Sequence, residues 1–279
     1  MMTNLDVAQI IIEELSRVGV TQFIISPGSR STPLTVAIAR HPKAKTIVHY
    51  DERGAAFFAL GYARATRLPA VLVCTSGTAV ANYYPAVIEA SMDNIPMIIL
   101  SADRPPELID VGANQAIFQQ NIYGAYPRLA LNLQPPVAET IATDILNQVD
   151  GLFDASTGAH PGPVHLNCQF REPLLPERIE SSDSPTFDAE WVHNNSKFVS
   201  ASPTFPPLLA KRLQPMFQNV EQAKRGLIIV GRSVRDECID SILQLSETLN
   251  LPVFPDVQSH LRFADNPLII NHFDLALLS

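Results

Sequence analysis

Two periods of hydrophobic placement alternate along the first part of the chain. Leu5 to Gly19 carries apolar residues at helical spacing, and Gln22–Ile25 is a short β-rich run. The alternation then repeats. Thr32–Arg40 predicts a helix, Thr46–His49 a strand, and Glu52–Thr66 a helix rich in alanine and aromatics. Val71–Cys74 predicts a strand, Thr78–Ser91 a helix and Met97–Ser101 a strand. Another amphipathic helix is expected within Gln134 to Ala155, and another strand at Pro163–Asn167. Strands that are nearly continuous apolar runs, separated by helices, imply a parallel sheet covered on both faces. Right-handed crossovers make this a doubly wound α/β domain. Its ligand site belongs beyond the carboxyl ends of the strands.

The rhythm breaks over 171–205, where prolines, serines and the polar run Asn194-Asn195-Ser196 read as a linker. The α/β pattern then resumes. Leu209 to Val220 predicts a helix, Gly226 to Gly231 a buried strand ending in glycine, Asp236–Leu249 a helix and Pro252–Phe254 a strand. The expected organisation is a first domain over 1–177, a linker over 178–204, and the start of a second, Rossmann-like α/β domain over 205–279, cut short within the apolar run Phe273 to Leu278.

Composition narrows the class. A chain of 279 residues suits two domains, and 46% hydrophobic with 17% charged residues excludes disorder. Mean hydropathy is +0.09, yet apolar runs such as Ala70–Cys74 are far shorter than the ~20 residues of a membrane helix. The N-terminus has no basic stretch leading into an apolar one, so no secretory signal is expected. A net charge of −8 argues against nucleic acid as the main partner. Cys74, Cys168 and Cys238 lie far apart and form no CxxC, which points to neither zinc nor a disulfide framework. A cytoplasmic α/β protein is the expectation. Proline is abundant at 23 and glycine sparse at 12, as befits rigid loops between strands and helices.

The candidate chemistry lies in loops that follow strands. In Ser26-Pro-Gly-Ser-Arg-Ser-Thr-Pro33, Ser29 and Ser31 can cap a helix whose N-terminus attracts anions, and Arg30 adds a forked donor suited to a carboxylate. An ordinary capped helix with a solvated arginine satisfies the same pattern. In Asp51-Glu-Arg-Gly-Ala-Ala-Phe-Phe-Ala-Leu-Gly61, Asp51 is the expected N-cap. Glu52 either complements the helix dipole, by ~0.3–1 kcal/mol, or serves chemistry. The small residues Gly54-Ala-Ala and Gly61 suit an interface. Thr75-Ser-Gly-Thr-Ala79 is a small-residue loop for a flat or phosphorylated ligand, or simply a capped turn. Arg104 is followed by two prolines that restrict the backbone, a rigidity no surface arginine needs. Asn114 and Gln115 offer two adjacent amides. His160 and His165 read as structural. In a parallel sheet all these loops share one edge, so two arginines and several neutral donors converge, as for a substrate with more than one carboxylate.

With these loops assembled, the chain resembles the SEPHCHC synthases, thiamine-diphosphate-dependent transferases of menaquinone biosynthesis. The resemblance rests on Ser26-Pro-Gly-Ser-Arg-Ser-Thr-Pro-Leu, Asp51-Glu-Arg-Gly-Ala-Ala-Phe-Phe-Ala-Leu-Gly, Cys74-Thr-Ser-Gly-Thr-Ala, Ser101-Ala-Asp-Arg-Pro-Pro-Glu-Leu and Gly112-Ala-Asn-Gln-Ala-Ile. It runs on through Pro163-Val-His-Leu-Asn167 and Arg171-Glu-Pro-Leu and is looser beyond. It implies a pyrimidine-binding first domain in which Glu52 is catalytic and hydrogen-bonds the cofactor's pyrimidine ring nitrogen. Pro27, Thr75, Ser76 and Gly77 would line that pocket. Ser29, Arg30, Arg104, Asn114 and Gln115 match substrate-side positions. The implied reaction decarboxylates 2-oxoglutarate on thiamine diphosphate and adds the remaining four-carbon unit to isochorismate. The GDG motif by which this superfamily holds diphosphate and Mg²⁺ or Mn²⁺ is absent from these 279 residues. No metal ligand is therefore assigned here, the chain is expected to be an N-terminal part without activity alone, and the whole protein is expected to be a homodimer or homotetramer. Two alternatives stay open: another thiamine-diphosphate carboligase or decarboxylase of the acetolactate synthase type, which needs Glu52 but not the two arginines, and a non-catalytic α/β binding or dimerisation module.

Overall fold

The computed structural model describes residues 2–178, 191, 197–198, 210–223, 225–232 and 237–277. The chain divides into two compact units, Met1–Pro203 and Thr204–Ser279. The expected linker lies outside the described residues except at 178, 191, 197 and 198.

The first unit is a six-stranded sheet, all parallel, in the order β2-β1-β3-β4-β6-β5. Its strands are β1 (Gln22–Ile25), β2 (Lys45–Val48), β3 (Ala70–Cys74), β4 (Met97–Asp103), β5 (Leu129–Leu133) and β6 (Pro163–Gln169). Helices α1 (Asn4–Arg17), α2 (Thr32–Arg40) and α6 (Ala142–Thr157) pack on one face. Helices α3 (Glu52–Thr66), α4 (Thr78–Asn82) and α5 (Tyr84–Met92) pack on the other. The period-2 alternation of strand side chains divides the strands between these layers. Phe23, Ile25, Val71, Val73, Ile98, Leu100, Val164 and Leu166 join the first core. Ile24, Ala70, Leu72, Cys74, Met97 and Ile99 join the second. Burial on both sides is why the central strands read as unbroken apolar runs.

Several elements differ from the sequence reading. Strand β5 was not anticipated; it is an edge strand that joins the sheet beside β6, out of chain order. The helix expected over Thr78–Ser91 is two helices that meet at Tyr83. Pro85 has no N–H to give a helical carbonyl and its ring crowds the preceding turn. Strands β4 and β6 each run two residues further than expected, through the pairs Ala102↔Cys168 and Asp103↔Gln169. That extension carries polar side chains to the carboxyl edge.

The first helix also anchors Trp191 and Phe198. A capping box of Thr3 and Asp6 starts α1. Glu14, fully buried within α1, accepts the Trp191 indole N–H at 2.8 Å and the Phe198 backbone N–H at 2.7 Å. The Arg17 guanidinium lies 3.8 Å from the Trp191 ring centroid and donates to the Trp191 carbonyl at 2.6 Å.

The second unit holds α7 (Ala210–Gln222), β7 (Ile228–Val230), α8 (Glu237–Leu249), β8 (Val253–Pro255) and α9 (Phe273–Ala276). Strands β7 and β8 pair in parallel around a small core of Val253, Leu261 and Ile269. The expectation of a buried strand over Gly226 to Gly231 is corrected: Ile229 is 74% exposed, because β7 is covered on one face only. Among the described residues no helix is long and apolar enough to cross a membrane.

Candidate functional site

The site is built at the carboxyl edge of the first sheet. After β1 the chain enters a 3-10 turn, Ser29–Ser31. Pro27 and Ser29 are exposed there, and Gly28 packs under Thr75 of the neighbouring loop. A Cβ on Gly28 would lie 2.3 Å from Thr75 Cβ, so the two loops touch only because this residue is glycine. The expected capping by serine is corrected. Neither Ser29 nor Ser31 accepts from a helix N–H; the Ser31 hydroxyl donates to the Gly28 carbonyl at 2.9 Å, which closes the turn.

Arg30 is buried rather than solvated. Its backbone N–H donates to Thr75 Oγ1 at 3.3 Å. Its guanidinium donates to the Phe170 carbonyl at 3.0 Å and to the exposed Glu172 carboxylate at 2.9 Å. Its Nε is buried without a partner among the described residues. Arg104 sends Nε and Nη2 to one acceptor, the Asn114 carbonyl, at 3.2 and 2.9 Å. Both arginines that the sequence pointed to are thus held by the chain's own oxygens.

Asp51 caps α3 as expected, accepting the Arg53 N–H at 2.9 Å. The Arg53 guanidinium beside it holds the Asp51 carboxyl down at about 2. Glu52 is different. It is half-buried at the first residue of α3, and among the described residues its carboxylate makes no hydrogen bond or ion pair. Its charge acts on Cys74, at the end of β3.

That loop is stitched to the segment after β4. Gln115 Nε2 donates to the Ser76 carbonyl at 3.0 Å, and the Gly77 N–H donates to Gln119 Oε1 at 2.7 Å. Gly77 sits at φ +84°, a conformation that favours glycine. The Ser76 hydroxyl is buried with no partner among the described residues.

Beneath these loops lies a buried polar cluster that sequence reading missed. Ser101 Oγ donates to Asn167 Oδ1 at 2.8 Å and lies 2.7 Å from His165 Nε2. Asn167 Nδ2 donates to Asp103 at 2.8 Å and to Asn132 at 2.7 Å. Burial pushes Asp103 up to about 6, although its bond from Asn167 and the Arg30 charge pull the other way. Burial holds the His165 ring neutral, down to about 3. Asp103 stood inside the Ser101-Ala-Asp-Arg run, and Asn167 interrupts an apolar strand; both were visible as polar residues out of pattern. Gln119 and Glu172 carried no comparable signal. The structure therefore connects Arg30, Thr75, Ser76, Gly77, Arg104, Asn114 and Gln115 through direct contacts on one edge. Pro27 and Ser29 flank them on the exposed turn.

Residues 5–123 match the family described as thiamine pyrophosphate enzyme, N-terminal TPP binding domain. The chain is 43% identical over 274 residues to the 2-succinyl-5-enolpyruvyl-6-hydroxy-3-cyclohexene-1-carboxylate synthase of Salinibacter ruber, covering 97% of this chain and 46% of that protein. The synthase of the same name from Pelodictyon phaeoclathratiforme is 49% identical over 257 residues, covering 91% of this chain and 43% of that protein. The chain is related to the N-terminal part of the SEPHCHC synthases. It spans less than half the length of these SEPHCHC synthase relatives. Thiamine diphosphate, the group that kinship with the SEPHCHC synthases implies, fits the residues present. Glu52 and Ser76, a half-buried carboxylate and a buried hydroxyl without partners among the described residues, leave polar groups on this edge for the nitrogens of such a ring. Among the described residues no group of three or more His, Cys, Asp or Glu is placed to hold a metal ion.

Proposed function

We propose that this chain is the pyrimidine-side part of a SEPHCHC synthase, a cytoplasmic enzyme that decarboxylates 2-oxoglutarate and joins the remaining four-carbon unit to isochorismate. The observation that carries the reading is Glu52, a half-buried carboxylate at a helix start with no partner among the described residues. Leaving a carboxylate unpaired in a partly desolvated place costs free energy unless a ligand completes it.

In this reading Glu52 holds a proton at the pyrimidine ring nitrogen. Pro27, Thr75, Ser76 and Gly77 line the ring's pocket and exclude water. Bound thiamine diphosphate supplies the thiazolium that accepts the electron pair released when carbon dioxide leaves. Arg30 and Arg104 bind carboxylates of the substrates, exchanging Glu172 and the Asn114 carbonyl for them. Ser29, Asn114 and Gln115 orient the same substrates through neutral donors. Diphosphate and Mg²⁺ are assigned to residues outside this chain, and the assembled enzyme is a homodimer or homotetramer.

The test is an assay of the full-length protein with isochorismate, 2-oxoglutarate, thiamine diphosphate and Mg²⁺. Isochorismate-dependent carbon dioxide release is expected. Glu52→Gln should cut kcat by at least about a hundredfold, through lost proton transfer, and leave the melting temperature unchanged. Turnover of pyruvate instead of 2-oxoglutarate, or full activity in Glu52→Gln, would overturn the reading.

A further inference from the structure

The peptide unit between Ser76 and Gly77 is gripped at both of its polar ends. Its carbonyl, on Ser76, accepts from Gln115 Nε2 at 3.0 Å. Its N–H, on Gly77, donates to Gln119 Oε1 at 2.7 Å. Two glutamines four residues apart therefore fix the plane and direction of one peptide. A peptide followed by a glycine at φ +84° is one of the easiest to reorient, since no Cβ resists the turn. Something else must choose its orientation.

Gln119 is built for that choice. It is 1% exposed. Its Nε2 donates to the Ala102 carbonyl at 3.2 Å and to Asn167 Oδ1 at 2.9 Å. Asn167 is in turn polarised, because its Nδ2 faces the Asp103 carboxylate and the Asn132 oxygen, both acceptors. Its Oδ1 must then receive. The Gln119 amide is left with its NH₂ toward the interior and its oxygen toward Gly77. A rotated Gln119 amide would set NH₂ against the Gly77 N–H and oxygen against two acceptors. Buried polar groups tolerate such a mismatch poorly.

We propose that Gln119 is a positioning residue: through the order Asp103, Asn167, Gln119 it sets the orientation of the Ser76–Gly77 peptide, and with it the floor of the cofactor pocket. The role in the pocket rests on the function proposed above; the clamp itself does not. Gln119 touches no reacting atom in this account.

Hydrogen exchange of the full-length protein, read without cofactor over a peptide that includes Gly77, tests the clamp. Gln119→Met keeps size and loses both polar functions, and should speed exchange at Gly77 by about tenfold or more, with the β3 core unaffected. Gln119→Glu keeps the acceptor toward Gly77 but as a carboxylate sets oxygen against the Ala102 carbonyl and Asn167 Oδ1; relative to wild type at the same pH, protection should return only at low pH, where the protonated carboxyl can donate. Calorimetric titration with thiamine diphosphate should then show affinity about tenfold weaker in Gln119→Met. Unchanged Gly77 exchange in Gln119→Met would overturn the clamp, as would a loss in Gln119→Glu that lowering the pH does not reverse. Faster exchange with unchanged affinity would overturn its role in the pocket. Wild-type protein that binds no thiamine diphosphate would sink the proposed function instead, and the exchange data would still decide the clamp.

Discussion

His165 and Asp103 lie in one buried cluster, and burial moves them in opposite senses. The His165 ring is kept neutral, with its folded value near 3 against 6.5 when unfolded. As pH falls below 6.5 the unfolded chain binds a proton that the fold refuses, so this histidine takes stability away down to about 3. The Asp103 value is raised from 3.8 to about 6. Between these values the fold retains a proton that the unfolded chain gives up, so the Asp103 contribution declines as pH rises through that window. From pH 4 to 6 the two effects oppose. Carbon-13 chemical shifts provide the check: the Asp103 carboxyl should titrate with a midpoint near 6, and the His165 ring should show no protonation down to pH ~4. A His165 midpoint near 6.5 would show that the ring is solvated.

At the scale of elements, two glycines make opposite forecasts. Gly28 lies under Thr75, whose Cβ and Cγ2 would sit 2.3 and 2.4 Å from an added methyl. Thr75 is buried and its hydroxyl is engaged, so it has little room to yield. Gly28→Ala should therefore destabilise by about 1–3 kcal/mol in urea denaturation. Gly61, inside α3, has nothing within 4 Å of its would-be Cβ. There Gly61→Ala should stabilise by about 0.5–1 kcal/mol. A loss at Gly61 would mean that this helix face is covered in the assembled protein. The same elements mark what the sequence made legible. Gln22–Ile25, Thr32–Arg40 and Glu52–Thr66 have the bounds that periodicity predicts, because apolar spacing is the signal that burial leaves behind. The candidate residues could be listed from their loops, but their partners could not. That Arg30 faces Glu172 and Phe170, about 140 positions away, is a long-range fact with no local trace. Leu129–Leu133 escaped notice because a short edge strand followed by prolines resembles a loop. At Tyr83 the break has a local trace in Pro85, although apolar spacing runs on across it.

For the whole molecule, the residues after β6 matter as much as the sheet. Glu14 presents both carboxylate oxygens to donors from Trp191 and Phe198, more than 170 positions downstream. Removing it strands two donors in a buried place. Glu14→Ala should cost about 2–4 kcal/mol in unfolding free energy, followed by circular dichroism. A loss below ~0.5 kcal/mol would show that this segment is not held against α1 in solution.

The chain has a single tryptophan, and it is the residue that docks on α1. Its indole is buried, hydrogen-bonded to a carboxylate and stacked under a guanidinium. The protein thus carries its own optical reporter. Excited beyond the tyrosine band, this chain emits from one indole at one place, so a red shift in its emission reports release of Trp191 from α1. Because the probe is native, that release can be timed in the unaltered protein, apart from the melting of the sheet.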